Sequence, residues 1–211
     1  MKKADVVEFY SLLSEGRPEP TSDLEWTNPF TLLVAVVLSA QATDVGVNKA
    51  TKALFERVST PEQMAALGET RLKDYIKTIG LFNGKAKNVI ALSHILIAEH
   101  DSVVPNDQKA LEALPGVGRK TANVVRNIIF KEPTIAVDTH IFRVSNRTGL
   151  APGKNVVVVE NKLLKVTPKE FSLHAHNWLI LHGRYTCKAR KPDCPNCAVI
   201  HLCRYKAKTV V

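Results

Sequence analysis

Apolar residues recur along most of the chain at the spacing of an α-helix. Val156, Val159 and Leu163 repeat in this way, and so do Ala122 and Val125. The four valines at 156–159 could also form a strand, but the polar residues after them continue the helical face. Prolines separate segments of helix length. We therefore predict an all-α fold of roughly ten helices joined by short turns.

One segment is apolar on every side. It runs from Phe30 to Ala40 and predicts a central buried helix. The polar turn Gln41–Asp44 follows it and is expected to cap the next helix. Farther along, Ile79–Asn83 is a second predicted turn, with the apolar residue Leu81 where polar residues are usual. Such residues commonly pack on the core, whereas in a DNA-binding protein they can enter a distorted duplex.

A short glycine-containing segment, Leu114–Lys120, separates two helical patterns. Pro115 is expected to end the first helix, because the residue before a proline is pushed out of the α region. Gly116 and Gly118 permit a positive φ and a close approach to backbone N–H groups, and the helix N-terminus after them favours a phosphate. The spacing fits neither a dinucleotide-binding fingerprint nor a P-loop, so a nucleic-acid backbone is the better ligand. A simple tight turn is the alternative.

Lys120 falls in the first turn of the second helix, where it is either a tether for phosphate or a nucleophile. A lysine amine must be neutral to attack, and the helix N-terminus and partial burial would both favour that form. Asp138, farther along, is typical of a helix N-cap. It could also be the carboxylate partner of Lys120, taking up protons or stabilising a developing positive charge. His140 could line the same site or serve in the core or a cap.

Composition narrows the choice of partner. The chain has 211 residues and 45% hydrophobic content, enough for a core in one or two domains, and Trp26 and Trp178 are expected there. Lys and Arg total 29 against 20 Asp and Glu, and the net charge of +9 favours a polyanionic partner once the glycine turn is considered. There is no apolar signal-peptide region and no stretch long enough to span a bilayer. We expect a cytoplasmic protein without membrane contact.

All four cysteines lie close together, at Cys187, Cys194, Cys197 and Cys203. Disulfides are not expected in a reducing compartment, so four neighbouring thiolates indicate a metal centre. Zinc sites usually have two close pairs separated by a long spacer, and only Cys194 and Cys197 form such a pair here. The spacing therefore favours an iron–sulfur cluster, with zinc as the alternative.

Basic residues surround these cysteines. Lys188, Arg190 and Lys191 fall in the longest loop between two of them, and ligation of a metal would fix the direction in which these cations point. A solvated basic surface is the simpler interpretation. We favour a second surface that contacts phosphates.

Three of these features together closely resemble the bacterial endonuclease III family. They are the segment Leu114–Lys120, the sequence Val137–His140 and the cysteine spacing. The resemblance runs over nearly the whole chain and includes Leu38–Asp44 and Leu179–Cys187. This family consists of DNA base-excision glycosylases with an accompanying abasic-site lyase activity.

The resemblance implies two all-α domains with the DNA cleft between them. One would be a six-helix barrel over residues 22–132, with the helix-hairpin-helix at about 107–130. The other would join residues 1–21 to residues 133–211 and carry a 4Fe-4S cluster on the four cysteines. The resemblance thus favours iron–sulfur over zinc.

The resemblance also implies roles for individual residues. Lys120 would be the nucleophile and Asp138 its partner carboxylate. Gln41 and Leu81 match positions that fill the gap and wedge the base stack when a nucleotide is flipped out. Further contacts to DNA are expected from the hairpin, the histidine and the loop cations, namely Gly116, Val117, Gly118, His140, Lys188, Arg190 and Lys191.

The implied function is bifunctional base-excision repair of double-stranded DNA that holds an oxidised pyrimidine or an abasic site. Such an enzyme releases the base and nicks the strand 3′ to the abasic site by β-elimination. We expect a nucleoid-associated monomer. The alternatives are a monofunctional glycosylase of the same fold and a non-catalytic DNA-binding protein with a cysteine metal module. Lys120 counts against the monofunctional enzyme, and a non-catalytic binding protein would have no need of Lys120 together with Asp138.

Overall fold

The fold is all-α, as the apolar periodicity predicts. A computed structural model describes residues 1–209, and over that range it contains ten α-helices, a short 3-10 helix at Lys169–Phe171 and no β-strand. The valine run at 156–159 begins a helix. No helix within residues 1–209 is both long and apolar enough to cross a membrane. The α-helices are α1 (Lys3–Gly16), α2 (Pro29–Leu38), α3 (Asp44–Phe55), α4 (Pro61–Ile76), α5 (Phe82–Glu99), α6 (Gln108–Ala113), α7 (Arg119–Phe130), α8 (Thr139–Thr148), α9 (Val156–Val166) and α10 (Ala175–Tyr185).

The chain divides into two compact units. The central unit is Ser22–Phe130, and the terminal unit joins Met1–Thr21 to Lys131–Val211. The division after Phe130 coincides with the end of α7 and lies slightly before the boundary expected at residue 132. The helix-hairpin-helix of α6 and α7 belongs to the central unit, and the four cysteines belong to the terminal unit.

The central unit is built around α2. Every residue from Phe30 to Leu38 is buried, which confirms the predicted central helix. Asn28 sets its start, because the Asn28 side chain accepts from the Thr31 N–H at 2.9 Å and Thr31 Oγ1 accepts from the Asn28 N–H at 2.9 Å. Pro29 occupies the first helical turn, where its missing N–H costs little. Helices α3, α5 and α7 pack against α2.

The terminal unit has an aromatic core from α1 and α10. Phe9 and Tyr10 are fully buried, and the Tyr10 ring stacks on Phe171 with centroids 5.7 Å apart. Burial raises the pKa of Tyr10 above its usual value, since the phenolate would be desolvated. Trp178 packs against Tyr10 at 6.4 Å, and its indole N–H donates to the Arg17 carbonyl at 2.7 Å.

The two tryptophans therefore differ. Trp178 is 5% exposed, as predicted for a core residue, but the same prediction is wrong for Trp26, which is 39% exposed. Trp26 lies in the irregular segment before α2, in which Leu24 is the buried residue between 21 and 28.

Helices α8 and α10 approach each other closely at Gly183. A Cβ added to Gly183 would lie 2.8 Å from His140 Cβ and 3.2 Å from the His140 carbonyl oxygen. Real side chains do not tolerate the shorter of these distances, so the two helices pack this closely only because position 183 has no side chain.

We expect Gly183→Ala to destabilise the protein even though alanine is the better helix former. Overpacking at the α8–α10 contact would lower the free energy of unfolding by about 1–3 kcal/mol, measured by denaturant unfolding. Gly16→Ala is the matched control, since a Cβ there meets nothing within 4 Å. Equal stability of the two variants would contradict the close approach.

Candidate functional site

The hairpin between α6 and α7 forms as predicted, with one difference. Helix α6 ends at Ala113, before Pro115, and the Val117 N–H closes the turn on the Leu114 carbonyl at 3.0 Å. Gly116 adopts a positive φ of 80°, whereas Gly118 does not belong to the positive-φ residues of the described chain. Only the first glycine of the pair therefore needs the left-handed conformation.

Gly116 is also needed for packing. A Cβ at this position would lie 3.0 Å from Asn88 Nδ2 and 3.2 Å from Val37 Cγ1, so the hairpin lies directly against α5 and α2. Val117, expected to contact DNA, has a buried side chain and uses its N–H within the turn. Within residues 1–209, by contrast, the N–H groups of Gly116 and Gly118 have no hydrogen-bond partner, and both glycines are exposed.

Lys120 lies in the first turn of α7, directly after this hairpin. The first hydrogen bond at the start of the helix runs from the Ala122 N–H to the Gly118 carbonyl at 3.0 Å. The backbone N–H groups before Ala122 therefore point outwards from the N-terminal end of the helix. The lysine is exposed. At the other end of α7, Arg126 holds the helix by donating to the Asn106 carbonyl at 3.1 Å.

Asp138 is the N-cap of α8, as its position in the sequence predicts. Its Oδ1 accepts from the N–H groups of His140 and Ile141 at 2.8 and 2.9 Å. Its Oδ2 lies 3.0 Å from His140 Nδ1. Both oxygens of the carboxylate are thus held, and 14% of its side chain is exposed. His140 is both a capping partner and the residue packed on Gly183.

Gln41 and Leu81 occupy two adjacent turns of the central unit. Both have a positive φ, 54° for Gln41 and 61° for Leu81, and both are exposed, Leu81 by 63%. A Cβ added to Gly80 would lie 3.8 Å from the Gln41 carbonyl oxygen, which places the turns next to each other. Thr43 caps α3 by accepting from the Gly46 N–H at 3.1 Å, confirming the predicted polar turn.

All four cysteines line one cavity in the terminal unit. Within residues 1–209, however, no three histidine, cysteine or acidic side chains converge on a point where they could hold a single metal ion.

Burial makes this cavity unusual electrostatically. It raises the pKa of the Cys197 thiol to about 11 and lowers the pKa of His182 to about 4. The neutral His182 ring places Nε2 3.9 Å from Cys197 Sγ. His182 was not among the residues predicted from the sequence, because one histidine in an apolar helix carries no recognisable spacing.

Two arginines on α8 hold the cysteine segment, and neither was among the residues predicted from the sequence. Arg143 donates to the carbonyls of Cys187 and Gly183 at 2.9 and 2.8 Å. Arg147 donates to the carbonyls of Lys188 and Ala189 at 2.7 and 3.0 Å. Their spacing of four residues is the only local signal, since it puts both on one helix face. The loop cations Lys188, Arg190 and Lys191 are all exposed.

The structure thus brings the predicted residues together in four local groups. Lys120 stands beside the hairpin, Asp138 with His140, and Gln41 beside the turn of Leu81. The fourth group is the cysteine cavity.

Comparison with known proteins identifies the family. The family model for HhH-GPD superfamily base excision DNA repair proteins matches residues 34–169. Endonuclease III of Escherichia coli (strain K12) is 60% identical over 208 residues, covering 99% of each chain, and that of Haemophilus influenzae is 59% identical over 208 residues, again with 99% of each chain covered.

Solved structures agree with the sequence comparison. A structure described as a trapped endonuclease III–DNA covalent intermediate superimposes with a TM-score of 0.90 and 45% identity, covering 97% of this chain and 96% of that one. Neither the monofunctional glycosylase nor the non-catalytic binding protein is favoured by these relatives. The chain belongs to the endonuclease III family, within the HhH-GPD superfamily of base excision DNA repair proteins.

Proposed function

We propose that this protein removes oxidised pyrimidines from double-stranded DNA and then cleaves the strand at the resulting abasic site. The observation that carries the proposal is the placement of Lys120, an exposed amine in the first helical turn after a hairpin with open backbone N–H groups. A phosphate held by those N–H groups would bring the adjacent sugar to the amine. A related endonuclease III has been trapped as a covalent intermediate with DNA.

Lys120 would act as the nucleophile. Its neutral Nζ forms a bond to the sugar C1′ while the glycosidic bond breaks, and the departing base takes the electron pair and then a proton. Opening of the sugar ring gives an imine between Nζ and C1′. Loss of a C2′ proton then expels the 3′ phosphate by β-elimination, and water releases the enzyme by hydrolysing the imine. No metal is needed for any of these steps.

Asp138 would stabilise the positive charge that develops on the sugar and take up protons during these steps. Its support is the fixed geometry of the carboxylate, which is held by the N–H groups of His140 and Ile141 and by the His140 ring. A carboxylate fixed in this way stabilises charge without a reorganisation cost during the reaction.

Gln41 and Leu81 would replace the nucleotide that is flipped out. The apolar Leu81 side chain would wedge into the base stack, and the Gln41 amide would fill the space left behind. Their support is that both side chains are exposed on neighbouring turns held in the left-handed region. Such strained, exposed positions are usually retained for a function.

A 4Fe-4S cluster on Cys187, Cys194, Cys197 and Cys203 would complete the terminal unit. The four residues fit such a group, because their thiols line one cavity and iron–sulfur clusters are bound by four cysteine thiolates. When bound, the cluster would supply four thiolate bonds that fix the shape of the irregular segment. That shape would direct the exposed cations Lys188, Arg190 and Lys191 towards phosphates.

We infer the remaining properties from the same family. The protein would act as a monomer in the cytoplasm, associated with the nucleoid, and its net charge of +9 supports binding to DNA.

Lys120→Gln should abolish base release and strand cleavage on a duplex with one thymine glycol, lowering the rate by at least about a thousandfold, because the amide cannot attack C1′. Binding of the same duplex should stay measurable in a gel-shift assay. Lys109→Gln, an exposed lysine on α6, is the charge-matched control and should cleave at a rate close to wild type. Cleavage by the Lys120 variant at the wild-type rate would refute its role as nucleophile.

Sodium borohydride should trap a covalent adduct between the wild-type protein and the lesion duplex, because it reduces the imine to a stable amine. Mass spectrometry of a proteolytic digest should locate the adduct on Lys120. An adduct-free protein that still releases the base would instead use water as the nucleophile.

Purified protein should be brown and contain about four iron atoms per chain and almost no zinc, measured by visible absorbance and elemental analysis. Cys194→Ser should remove the colour and most of the iron, since a serine oxygen is a poor ligand for this cluster. Ala198→Ser introduces the same hydroxyl at an exposed neighbouring position and should retain both. A colourless protein with one zinc per chain would contradict the proposal.

A further inference from the structure

A second cavity, of about 550 Å³, opens at the start of α5 in the central unit. Its wall includes Leu81, the first helical turn from Phe82 to Lys85, Asn88 and Gly116. Gly116 lies directly against Asn88, so the hairpin and the first turns of α5 form one continuous wall. No aspartate or glutamate lines this cavity.

The N-terminus of α5 has no side-chain cap. Its N-cap residue is Leu81, an apolar residue in the left-handed conformation, and the first hydrogen bond runs from the Lys85 N–H to the Leu81 carbonyl at 3.1 Å. The N–H groups of Phe82, Asn83 and Gly84 therefore lack a partner within the helix. They form the positive end of an 18-residue helix. A Cβ on Gly84 would meet nothing within 4 Å, so this turn has free space around it.

Lys85 supplies an independent observation. Its side chain is only 5% exposed, yet Nζ has no hydrogen-bond partner among the described residues. Burying an amine without a partner costs free energy, so such a group usually meets a ligand or an acid. Burial also lowers the pKa of Lys85, because desolvation penalises the charged form. Lys85 is one of the residues that line the cavity, so the unpartnered amine belongs to the cavity wall.

We propose that the first turn of α5 and Lys85 together bind a backbone phosphate of the DNA duplex, separately from the phosphate held by the hairpin glycines. A phosphodiester offers only acceptor oxygens, whereas the three open N–H groups and the amine offer hydrogen-bond donors, so the two sets match. The duplex is its source because Leu81 and Gly116, both proposed to contact DNA, lie in the same wall. This inference rests on the proposed function.

The test is a phosphate scan combined with substitution of Lys85. Single phosphates near an uncleavable abasic-site analogue are replaced one at a time by neutral methylphosphonates, and the affinity of each duplex is measured for wild type and Lys85→Met. At one position the wild type should lose about tenfold in affinity, whereas the variant should lose almost nothing further. The slope of log affinity against log salt concentration should also be shallower for the variant, by the amount expected for about one phosphate contact.

Lys87→Met is the matched control, because Lys87 is an exposed lysine of the same helix and the charge change is identical. At the methylphosphonate position where Lys85→Met loses no affinity, Lys87→Met should lose as much affinity as wild type. The Lys85 variant should unfold at or above the wild-type temperature, since an unpartnered buried amine has been removed. If methionine prevents folding, Lys85→Gln provides the same comparison.

Two results would overturn the inference. In the first, Lys85→Met binds every duplex more weakly than wild type by one constant factor, so each methylphosphonate costs the variant as much affinity as it costs wild type. That result would indicate a contact to a base instead of a phosphate. In the second, Lys85→Met binds every duplex, the unmodified one included, as tightly as wild type does. Failure of the proposed function is distinguishable, because the wild-type protein would then neither bind the lesion duplex selectively nor cleave it.

Discussion

The packing of the hairpin depends on the missing side chain of Gly116. With φ at 80° and only 3.0 Å between an added Cβ and Asn88 Nδ2, any other residue would strain the turn and push it away from α5. Val37 of α2 is almost as close, at 3.2 Å. The start of α7, which carries Lys120, would move with the turn. One glycine thus connects the buried central helix, the hairpin and the cavity wall of α5.

In the terminal unit the constraint is different, because the carbonyl groups of an irregular segment need hydrogen-bond donors. The cysteine segment has no regular helix or strand to satisfy its carbonyl groups. Arg143 and Arg147 supply the missing donors from α8, and the planar guanidinium reaches two carbonyls at once in each case. Arg147 also lies over the Tyr205 ring, 4.6 Å from its centroid. The backbone of residues 187–189 is therefore held in place by side chains outside the cysteine motif.

The N-termini of α8 and α5 both lie at predicted site residues, but they are capped differently. At α8 the Asp138 carboxylate satisfies the exposed N–H groups, so the charge at this helix end is already compensated. At α5 the N-cap residue is Leu81, which offers no acceptor. An uncapped N-terminus with a buried amine beside it is unfavourable in isolation, and a bound anion would relieve both defects.

Local interactions explain what could be predicted from the sequence. Helix periodicity, the Asp138 cap, the proline that ends α6 and the apolar α2 depend on residues within about one or two turns of one another. The positions of the hairpin, of the cysteine segment and of Lys120 in its helical turn follow from such signals. Their chemical roles came from the resemblance to a family, which relies on whole motifs in order.

Tertiary packing decided the rest, because it brings together residues that are far apart in the chain. Gly116 needs its conformation and Gly118 does not, since Asn88 and Val37 press on only one of them. The contacts of Arg143 with carbonyls about 40 residues away leave no periodic trace in the sequence. Periodicity also cannot show that Lys85 is buried without a partner. By itself, the sequence determined where the helices and reactive residues lie, and only the fold decided which of them are exposed, held or unsatisfied, because burial depends on non-local contacts.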